Sequence, residues 1–207
     1  MRKNTLFLLL IALLFSCRKK DENLNLKYEV LNQLISEDIA NDLVTNNSRS
    51  YLYKSNSATN IQIINLDTEK LDDNTIIFNS IELKSDSIFS SNDIDYLISQ
   101  TVPFDSKQFD LDKKKIYGKV NIIKNEGLKE LQNNYSSPQD YWAKFKIKFG
   151  DKCIRNYSEP IFNLTKNICI IKISESCGPL EGGGMTSILQ RVNGKWKVIK
   201  SLEHWVN

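Results

Sequence analysis

The stretch that decides the fold is residues 185–202, with the sequence MTSILQRVNGKWKVIKSL. Two runs rich in strand-forming residues flank the pair Asn193-Gly194. This pair favours a two-residue type I′ turn, because both central positions of that turn need positive φ. The stretch therefore predicts an antiparallel β-hairpin.

The two-residue turn also predicts the register of this hairpin. Closure pairs Val192 with Lys195, and Arg191 then faces Trp196. Continued alternation places five residues on one side of the hairpin, and this side is predicted to face the core. They are Trp196, Leu189, Val198, Met185 and Leu202.

Outside the hairpin, the apolar periodicity predicts further strands and about three helices. Strands are expected at 51–54, 61–66, 75–83, 116–124, 160–164 and 168–174. Helices are expected at 27–44, after an N-cap at Ser91, and after Ser137-Pro138. The fold class is α+β, an antiparallel sheet with a C-terminal meander and helices packed on it, in one domain spanning 27–207.

The helix after Ser137-Pro138 has a competing interpretation. Tyr141 and Trp142 fall on one helical face with Phe145 and Phe149, whereas Lys144, Lys146 and Lys148 alternate with apolar residues as in a strand. The serine N-cap, the proline at the first helical position and the acid at Asp140 favour the helix.

Composition and charge narrow the class of protein. The chain has 207 residues, of which 41% are hydrophobic and 26% charged, which is typical of a globular protein. The formal net charge is +3, and subtracting Arg2 and Lys3, which lie in a segment expected to be removed, leaves +1. So small a charge argues against a nucleic-acid partner.

The N-terminus has the layout of a secretory signal. Arg2 and Lys3 precede an apolar run, residues 6–15, that ends at Ser16-Cys17. As a helix the run spans ~15 Å, about half the hydrocarbon core of a bilayer, so it is too short to be a membrane anchor.

The residues Leu14-Phe15-Ser16-Cys17 resemble the lipobox of bacterial lipoproteins. The resemblance implies that residues 1–16 are removed and that Cys17 is acylated and becomes the first residue. More than one acyl chain makes such an anchor durable. Residues 17–26 would then form a flexible tether.

The tether contains Lys19, Lys20, Asp21 and Glu22, which resemble the export tag of Bacteroidetes-type surface lipoproteins. The resemblance implies the outer membrane as the location, with the protein on the cell surface. The alternative is a tether that is charged only for solubility, with the protein on the periplasmic face.

Three cysteines remain besides Cys17: Cys153, Cys169 and Cys177. If one disulfide forms in this oxidising compartment, Cys153 with Cys177 is the favoured pair, and Cys169 is a buried free thiol. The alternative is a nucleophilic pair between a cysteine and His204. Neither these cysteines nor the single histidine have the spacing of a metal site, and no cofactor-binding pattern is present.

A glycine-rich stretch is the candidate binding loop: Gly178, Pro179, Leu180, Glu181, Gly182, Gly183 and Gly184. A phosphate loop would lead into a helix and carry Lys-Ser or Lys-Thr, and neither holds here. The stretch is therefore predicted to be a wide hairpin loop, with glycine for unusual φ/ψ or for close packing.

This loop, the segment Asn193-Gly194-Lys195-Trp196 and the closing Trp205-Val206 resemble the C-terminal module of uncharacterised Bacteroidetes-type lipoproteins. Such proteins often have a second cysteine where this chain has Glu181. The resemblance implies a fold and a location and carries no activity.

The function expected from the sequence is that of a non-enzymatic envelope lipoprotein. It would bind an envelope protein or ligand while its lipid on Cys17 holds it at the membrane. Two alternatives stay open: an inhibitor or immunity protein that blocks a hydrolase with a loop such as 177–184, and a hydrolase that uses Cys169 or Cys177.

Overall fold

The computed structural model describes residues 21–45, 50–55, 61–64, 76–79, 83, 86–101 and 109–206. The predicted signal, Cys17, Lys19 and Lys20 lie outside these residues. The helices are α1 (Leu24–Thr45), α2 (Ser91–Gln100), α3 (Asn125–Gln132) and α4 (Pro138–Phe149). The strands are β1 (Tyr51–Lys54), β2 (Ile61–Ile64), β3 (Ile76–Asn79), β4 (Asn121–Ile123), β5 (Cys153–Tyr157), β6 (Ile161–Phe162), β7 (Ile168–Gly178), β8 (Glu181–Val192) and β9 (Lys195–Val206).

The predicted α+β class is confirmed, but the main sheet is mixed. Six of its seven strands follow the order β4-β1-β5-β7-β8-β9, and the seventh, β6, pairs with β7. The C-terminal strands are antiparallel as predicted, whereas β1 runs parallel to both β4 and β5. Long connections with helices separate β1 from these two partners, and only such connections allow parallel pairing.

Helices cover both faces of the sheet. On one face, α1 packs on the strands through a cluster that includes Tyr53, Ile171 and Trp196. On the other face, α3 and α4 cover Leu52 and Ile123 at one end. A separate cluster, with α2 and β2, covers Ile161, Ile168, Ile170 and Ile188.

The β8–β9 hairpin has the predicted turn, with φ of 51° at Asn193 and 76° at Gly194. The predicted pairs are present from Val192–Lys195 to Leu189–Val198. Beyond them the predicted register is wrong, because two bulges each add a residue to β9, so that Met185 pairs with His204 rather than Leu202. Val198 is also 54% exposed rather than buried, since β9 is the edge strand.

The starts of the helices are set by nearby residues, and most lie where they were predicted. The Ser137 side chain accepts a hydrogen bond from the Asp140 amide, so the helical interpretation of α4 is correct and the strand alternative is wrong. The N-cap of α2 is Ser90 rather than Ser91, and its side chain and that of Asp93 form a capping box. Nothing in the sequence analysis predicted α3 or β5.

The predicted tether is too long, because α1 begins at Leu24. The Asp21 side chain accepts a hydrogen bond from the Asn23 amide at 2.9 Å and pairs with Lys27 at 2.6 Å. Lys27 is buried and also pairs with Glu159. Burial alone would lower the pKa of Lys27, but the two ion pairs outweigh it and raise that pKa. Asp21 is therefore part of the folded domain.

Candidate functional site

The glycine-rich stretch is a tight hairpin and a strand, not the wide loop that was predicted. Gly182–Gly184 belong to β8, and Gly178 pairs with Glu181, which leaves Pro179-Leu180 as the turn. None of the four glycines, all in the described part of the chain, has positive φ. A Cβ on Gly184 would lie 2.7–2.9 Å from atoms of the Trp205 indole. Close packing of that ring, rather than unusual φ/ψ, therefore requires the glycine.

The hairpin turn presents one large apolar side chain. Leu180 is 80% exposed. The disulfide between Cys153 and Cys177 joins β5 to β7 directly before the turn, with a Cα–Cα distance of 4.2 Å. The turn is thus held rigidly at one end of the sheet.

The remaining cysteine, Cys169, is placed for packing rather than nucleophilic chemistry. Its thiol is buried in the cluster under α1, and burial raises its pKa, which disfavours the reactive thiolate. Cys169 pairs with Leu189 whereas His204 pairs with Met185, four residues away along β8. At ~3.3 Å per residue this separates them by about 13 Å. Among the described residues no Cys–His pair therefore forms, and Cys177 has no free thiol because it is bonded to Cys153.

A charged cluster fastens α1 to the sheet near the same disulfide. The Arg155 guanidinium lies 3.1 Å from both Asp38 of α1 and Glu175 of β7, and stacks on the Tyr51 ring at 4.2 Å. Burial alone would lower the pKa of Arg155, but the carboxylates, with Asp38 first, raise it. Burial also raises the pKa of Tyr157, whose hydroxyl is bonded to Asp38. The ion pairs of Arg155 and the Tyr157–Asp38 hydrogen bond hold α1 on the sheet, although the buried Arg155 Nε has no hydrogen-bond partner among the described residues.

A polar groove over α1 has a volume of 610 Å³. The Asn32 side chain donates to the Lys115 carbonyl at 2.9 Å and accepts from the Tyr117 amide at 2.7 Å. The Gln33 side chain makes the same two bonds to the backbone of Trp196, at 2.6 and 2.7 Å. Also bonded within the protein are Tyr28, Glu29 and Ser36. Most polar groups of this groove are already used to hold a loop and the β8–β9 hairpin on α1.

A second cavity, the aromatic cleft, lies between α4 and the sheet and has a volume of 280 Å³. Its lining has no charged residue and consists of Gln132, Tyr135, Pro138, Tyr141, Trp142, Ile154 and Ser176. The ring of Tyr141 lies nearly perpendicular to that of Tyr135 (76°, 5.8 Å) and to that of Trp142 (89°, 5.6 Å). Burial raises the pKa of Tyr141, which keeps its hydroxyl protonated.

The polar groups of the aromatic cleft are uncommitted. Within the described residues, no hydrogen bond involves the Tyr135 or Tyr141 hydroxyl or the Trp142 indole N–H. The same is true of the side chains of Gln132 and Ser176. A cavity with aromatic walls and a few available polar groups is the usual form of a ligand site.

The floor of the aromatic cleft continues across the sheet onto the glycine-rich strand. Ile154 pairs with Ser176, and Ser176 pairs with Gly182 on β8, so all three share one face. On the next pair of that face Ser174 lies opposite Gly184, which pairs with Trp205. We call Ser174, Ser176, Gly182 and Gly184 the small-residue strip.

The aromatic cleft is not predicted from the sequence. The helical periodicity places Tyr141 and Trp142 on one face, which is more often a core face than a binding face. The available signal was the density of aromatic residues around the helix start, with Tyr135, Tyr141 and Trp142 within eight positions.

Neither metal-binding groups nor similar proteins assign a role to the described residues. The described residues contain no group of three or more His, Cys, Asp or Glu side chains that could hold a metal ion. None of the described helices has the length and apolar character needed to cross a membrane. No protein-family model, curated protein or solved structure matches the chain.

Proposed function

We propose that this chain is a lipid-anchored envelope protein of the outer membrane whose folded domain is a non-catalytic binding module, with the aromatic cleft as its binding site. The observation that carries the proposal is the set of uncommitted polar groups between aromatic walls in this cleft. Polar groups without partners are stabilised when a ligand satisfies them, and aromatic rings supply contact area at low entropic cost.

The binding site is tested by capture from intact envelopes with the acylated full-length protein as bait. Tyr135→Ala should abolish the capture of whatever the wild type retains, because the ring is 48% exposed and forms one wall of the cleft. Tyr117→Ala is the matched control, since this tyrosine is 74% exposed and lines the polar groove. Equal capture by both variants would contradict the assignment of the site.

The anchor is supported by the apolar run and the lipobox-like residues before Cys17. Cys17→Ser should leave the protein unprocessed and without lipid, because Cys17 is the residue expected to carry the acyl chains. Growth with a fatty-acid analogue and detection of the label on the purified protein measures this. Label retained on the variant would disprove the lipoprotein assignment.

Surface location is supported by the tag-like residues Lys19, Lys20, Asp21 and Glu22. Asp21 also pairs with Lys27, so it should be left intact in a test of export. Replacement of Lys19, Lys20 and Glu22 by alanine should keep the protein on an inner leaflet. Protease treatment of intact cells should then digest the wild type and spare the variant, and equal digestion would exclude the tag.

A second candidate function is inhibition of an envelope hydrolase by the hairpin turn. It is favoured by the exposure of Leu180 next to the Cys153–Cys177 disulfide, because rigid apolar tips bind with little loss of entropy. Leu180→Asp should abolish capture in this case, while Tyr135→Ala should leave it unchanged. The two candidates therefore predict opposite results from the same pair of variants.

A further inference from the structure

We infer that the outer edge of β9 pairs in antiparallel fashion with the same edge of a second copy of this chain, with Ser201 at the centre. Such pairing goes beyond the proposed binding function, because β9 lies three strands away from β5, which carries part of the aromatic cleft. Four features of the described residues carry the inference: the length of the edge, its exposed apolar side chains, the direction of its backbone groups and its charges.

β9 is a long edge strand. It has twelve residues, whereas β4 at the other edge of the main sheet has three. Three of the eight large apolar side chains that are exposed in the described part of the chain lie on β9, and they are Val198, Ile199 and Val206. A long edge strand with exposed apolar side chains is a template on which another chain can pair.

One contact fixes which backbone groups of β9 point outward. The Gln33 side chain of α1 accepts from the Trp196 amide at 2.7 Å and donates to the Trp196 carbonyl at 2.6 Å, so both groups point away from β8. In an antiparallel ladder, every second residue shares this direction. The pairing of β8 with β7 runs without a shift from Gln190 to Gly182, so the alternation of β8 itself is unbroken.

The two bulges of β9 keep its outward groups evenly spaced. Trp196 pairs with Arg191, and every second residue of β8 from Arg191 onward marks a further β9 residue with outward groups. Each bulge adds one residue, Ile199 or Leu202, between two of them, so the groups stay ~6.6 Å apart as in a regular strand. Because the bulges lie symmetrically about Ser201, the edge matches a second copy of itself, as a two-fold contact requires. The residues with outward groups after Trp196 are Val198, Ser201, His204 and Val206.

These outward groups are available for pairing. Within the described part of the chain, and apart from the β8–β9 ladder, no hydrogen bond involves the backbone of Val198, Ser201 or His204. Pairing about Ser201 joins this residue to its counterpart and Val198 to His204 of the second copy, in both directions, with about six hydrogen bonds. Trp196 lies just beyond this stretch, where Gln33 already bonds to its backbone.

Opposite charges meet when the pairing is centred on Ser201. On the face opposite α1, Lys200 pairs with Ile188 and Glu203 with Thr186, so both side chains belong to residues that flank the centre. The two-fold operation places Lys200 of each copy beside Glu203 of the other, and opposite charges across strands are stabilising. Lys200 also pairs with Asp86 of its own chain, but a lysine amine has three donors and can serve both carboxylates.

The outer pair of the same face is also compatible. The centre at Ser201 places Lys197 beside Trp205 of the second copy, whose ring packs on Gly184 of the small-residue strip. A lysine amine over a tryptophan ring is attractive.

Two neighbouring centres are less favourable. A centre at Val198 would place Lys197 beside Lys200 of the second copy, and edge lysines commonly oppose pairing by such repulsion. A centre at His204 would bring no opposite charges together among the described residues. Charge therefore favours Ser201 over both.

Single cysteines test the register in intact envelopes. Ser201→Cys should give a disulfide-linked dimer on mild oxidation, because residues in a hydrogen-bonded pair have Cα atoms ~5.5 Å apart, within the range of a disulfide. His204→Cys is the matched control on the same strand, because its counterpart would lie ~13 Å away, four residues along the sheet. Coexpressed Val198→Cys and His204→Cys, with tags of different size, should give the mixed dimer only. Non-reducing electrophoresis of the full-length protein is the measurement.

Ser201→Pro tests the pairing without a new thiol. The Ser201 amide points outward, and an edge strand accepts proline where the N–H faces solvent. The variant should keep the thermal midpoint of the wild type but weaken dimerisation by about tenfold or more, because the central hydrogen bonds are lost. Sedimentation velocity of the full-length protein in density-matched detergent measures dimerisation.

A charge variant tests the ion pairs. Glu203→Lys should weaken dimerisation by about fivefold, because like charges then meet at both Lys200 positions. Asp95→Lys is the control, since this exposed acid lies on α2 rather than on β9, and it should dimerise like the wild type.

Three outcomes would overturn the inference. Absence of a Ser201→Cys dimer would exclude the pairing, even if Ser201→Pro failed to fold. A dimer formed by His204→Cys alone or by Val198→Cys alone would move the centre away from Ser201. Unchanged dimerisation of a folded Ser201→Pro variant would exclude the β9 edge as the contact.

Discussion

The polar groove and the aromatic cleft differ in what their side chains are already doing. The groove is more than twice as large, at 610 against 280 Å³, but most of its polar groups are bonded to backbone or to neighbouring side chains. The cleft is small, yet its hydroxyls, amide and indole have no partner among the described residues. Unused hydrogen-bonding capacity, rather than volume, therefore favours the cleft over the groove as the proposed binding site.

The difference has a structural origin. The groove lies where α1 holds a loop and a hairpin that are distant in sequence. The side-chain amides of Asn32 and Gln33 therefore bond to the backbone of Tyr117 and Trp196. The cleft lies beside α4, whose start is stabilised by its own Ser137 N-cap and which packs on the sheet through Phe145. Tyr141 is partly buried against the same cluster, whereas Tyr135 lies outside it and is half-exposed, so the Tyr135 ring is not required for that attachment.

The largest expected loss of stability comes from a residue on the groove side of the molecule, Trp196. Trp196 is 3% exposed, and its indole N–H donates to Glu29 at 3.1 Å. Trp196→Ala should lower the free energy of unfolding by about 3–5 kcal/mol, as for other buried large-to-small changes. Lys197→Ala, at an exposed position, should cost less than about 0.5 kcal/mol. Denaturant unfolding of both variants measures the difference. A Trp196→Ala variant that is nearly neutral in stability but loses partner capture would make this ring a binding anchor instead.

The disulfide should have the next largest effect, and it bears on the cleft. Cys153 and Cys177 precede and follow the cleft residues Ile154 and Ser176, and their bond closes a loop with a sequence separation of 24. Replacement of both cysteines by alanine should lower stability by about 3 kcal/mol through the entropy of the unfolded chain. Thermal unfolding without reductant is the measurement. An unchanged midpoint would show that the bond does not constrain the unfolded chain.

A smaller loss is expected from the amide bridge of the groove. Asn32→Ala would leave the Lys115 carbonyl and the Tyr117 amide without their partner. The expected cost is about 1–3 kcal/mol, typical of buried groups left unsatisfied. Asn25→Ala is the control, because this asparagine lines the same groove but is exposed. If Asn25→Ala proved the more costly change in denaturant, the groove would not be a structural seam.

The smallest effect on stability is expected in the cleft. Tyr135→Ala should change the free energy of unfolding by less than about 0.5 kcal/mol, because the ring is 48% exposed and pairs edge to face with the Tyr141 ring. Capture of a partner should nevertheless be lost. Denaturant unfolding is the measurement. If Tyr135→Ala lowered the free energy of unfolding as much as Asn32→Ala, the cleft would be part of the core rather than a binding site.

Several elements could be predicted because they depend on near neighbours. Asn193-Gly194 dictates its own turn, and Ser137-Pro138 with Asp140 dictates a helix start. The cysteine pair was the favoured one, and the structure joins Cys153 to Cys177. By contrast, β5 was missed because Arg155 and Asn156 break the apolar alternation. Arg155 is stabilised there by carboxylate partners on α1 and β7 and by the Tyr51 ring, which the local sequence does not reveal.

The candidate site likewise combines features that the sequence predicts with features that only the tertiary structure sets. The sequence alone was enough to place Tyr141 and Trp142 on one helical face and to mark the glycine-rich stretch as unusual. Only the tertiary structure decided that Trp142 meets Ser176 in one cleft, that Gly184 is small because Trp205 packs on it, and that two bulges shift β9 by two residues. Turns and helix starts are set by backbone preferences within a few residues. Contacts between residues more than twenty positions apart depend on strand pairing and packing across the whole sheet, which no local pattern encodes.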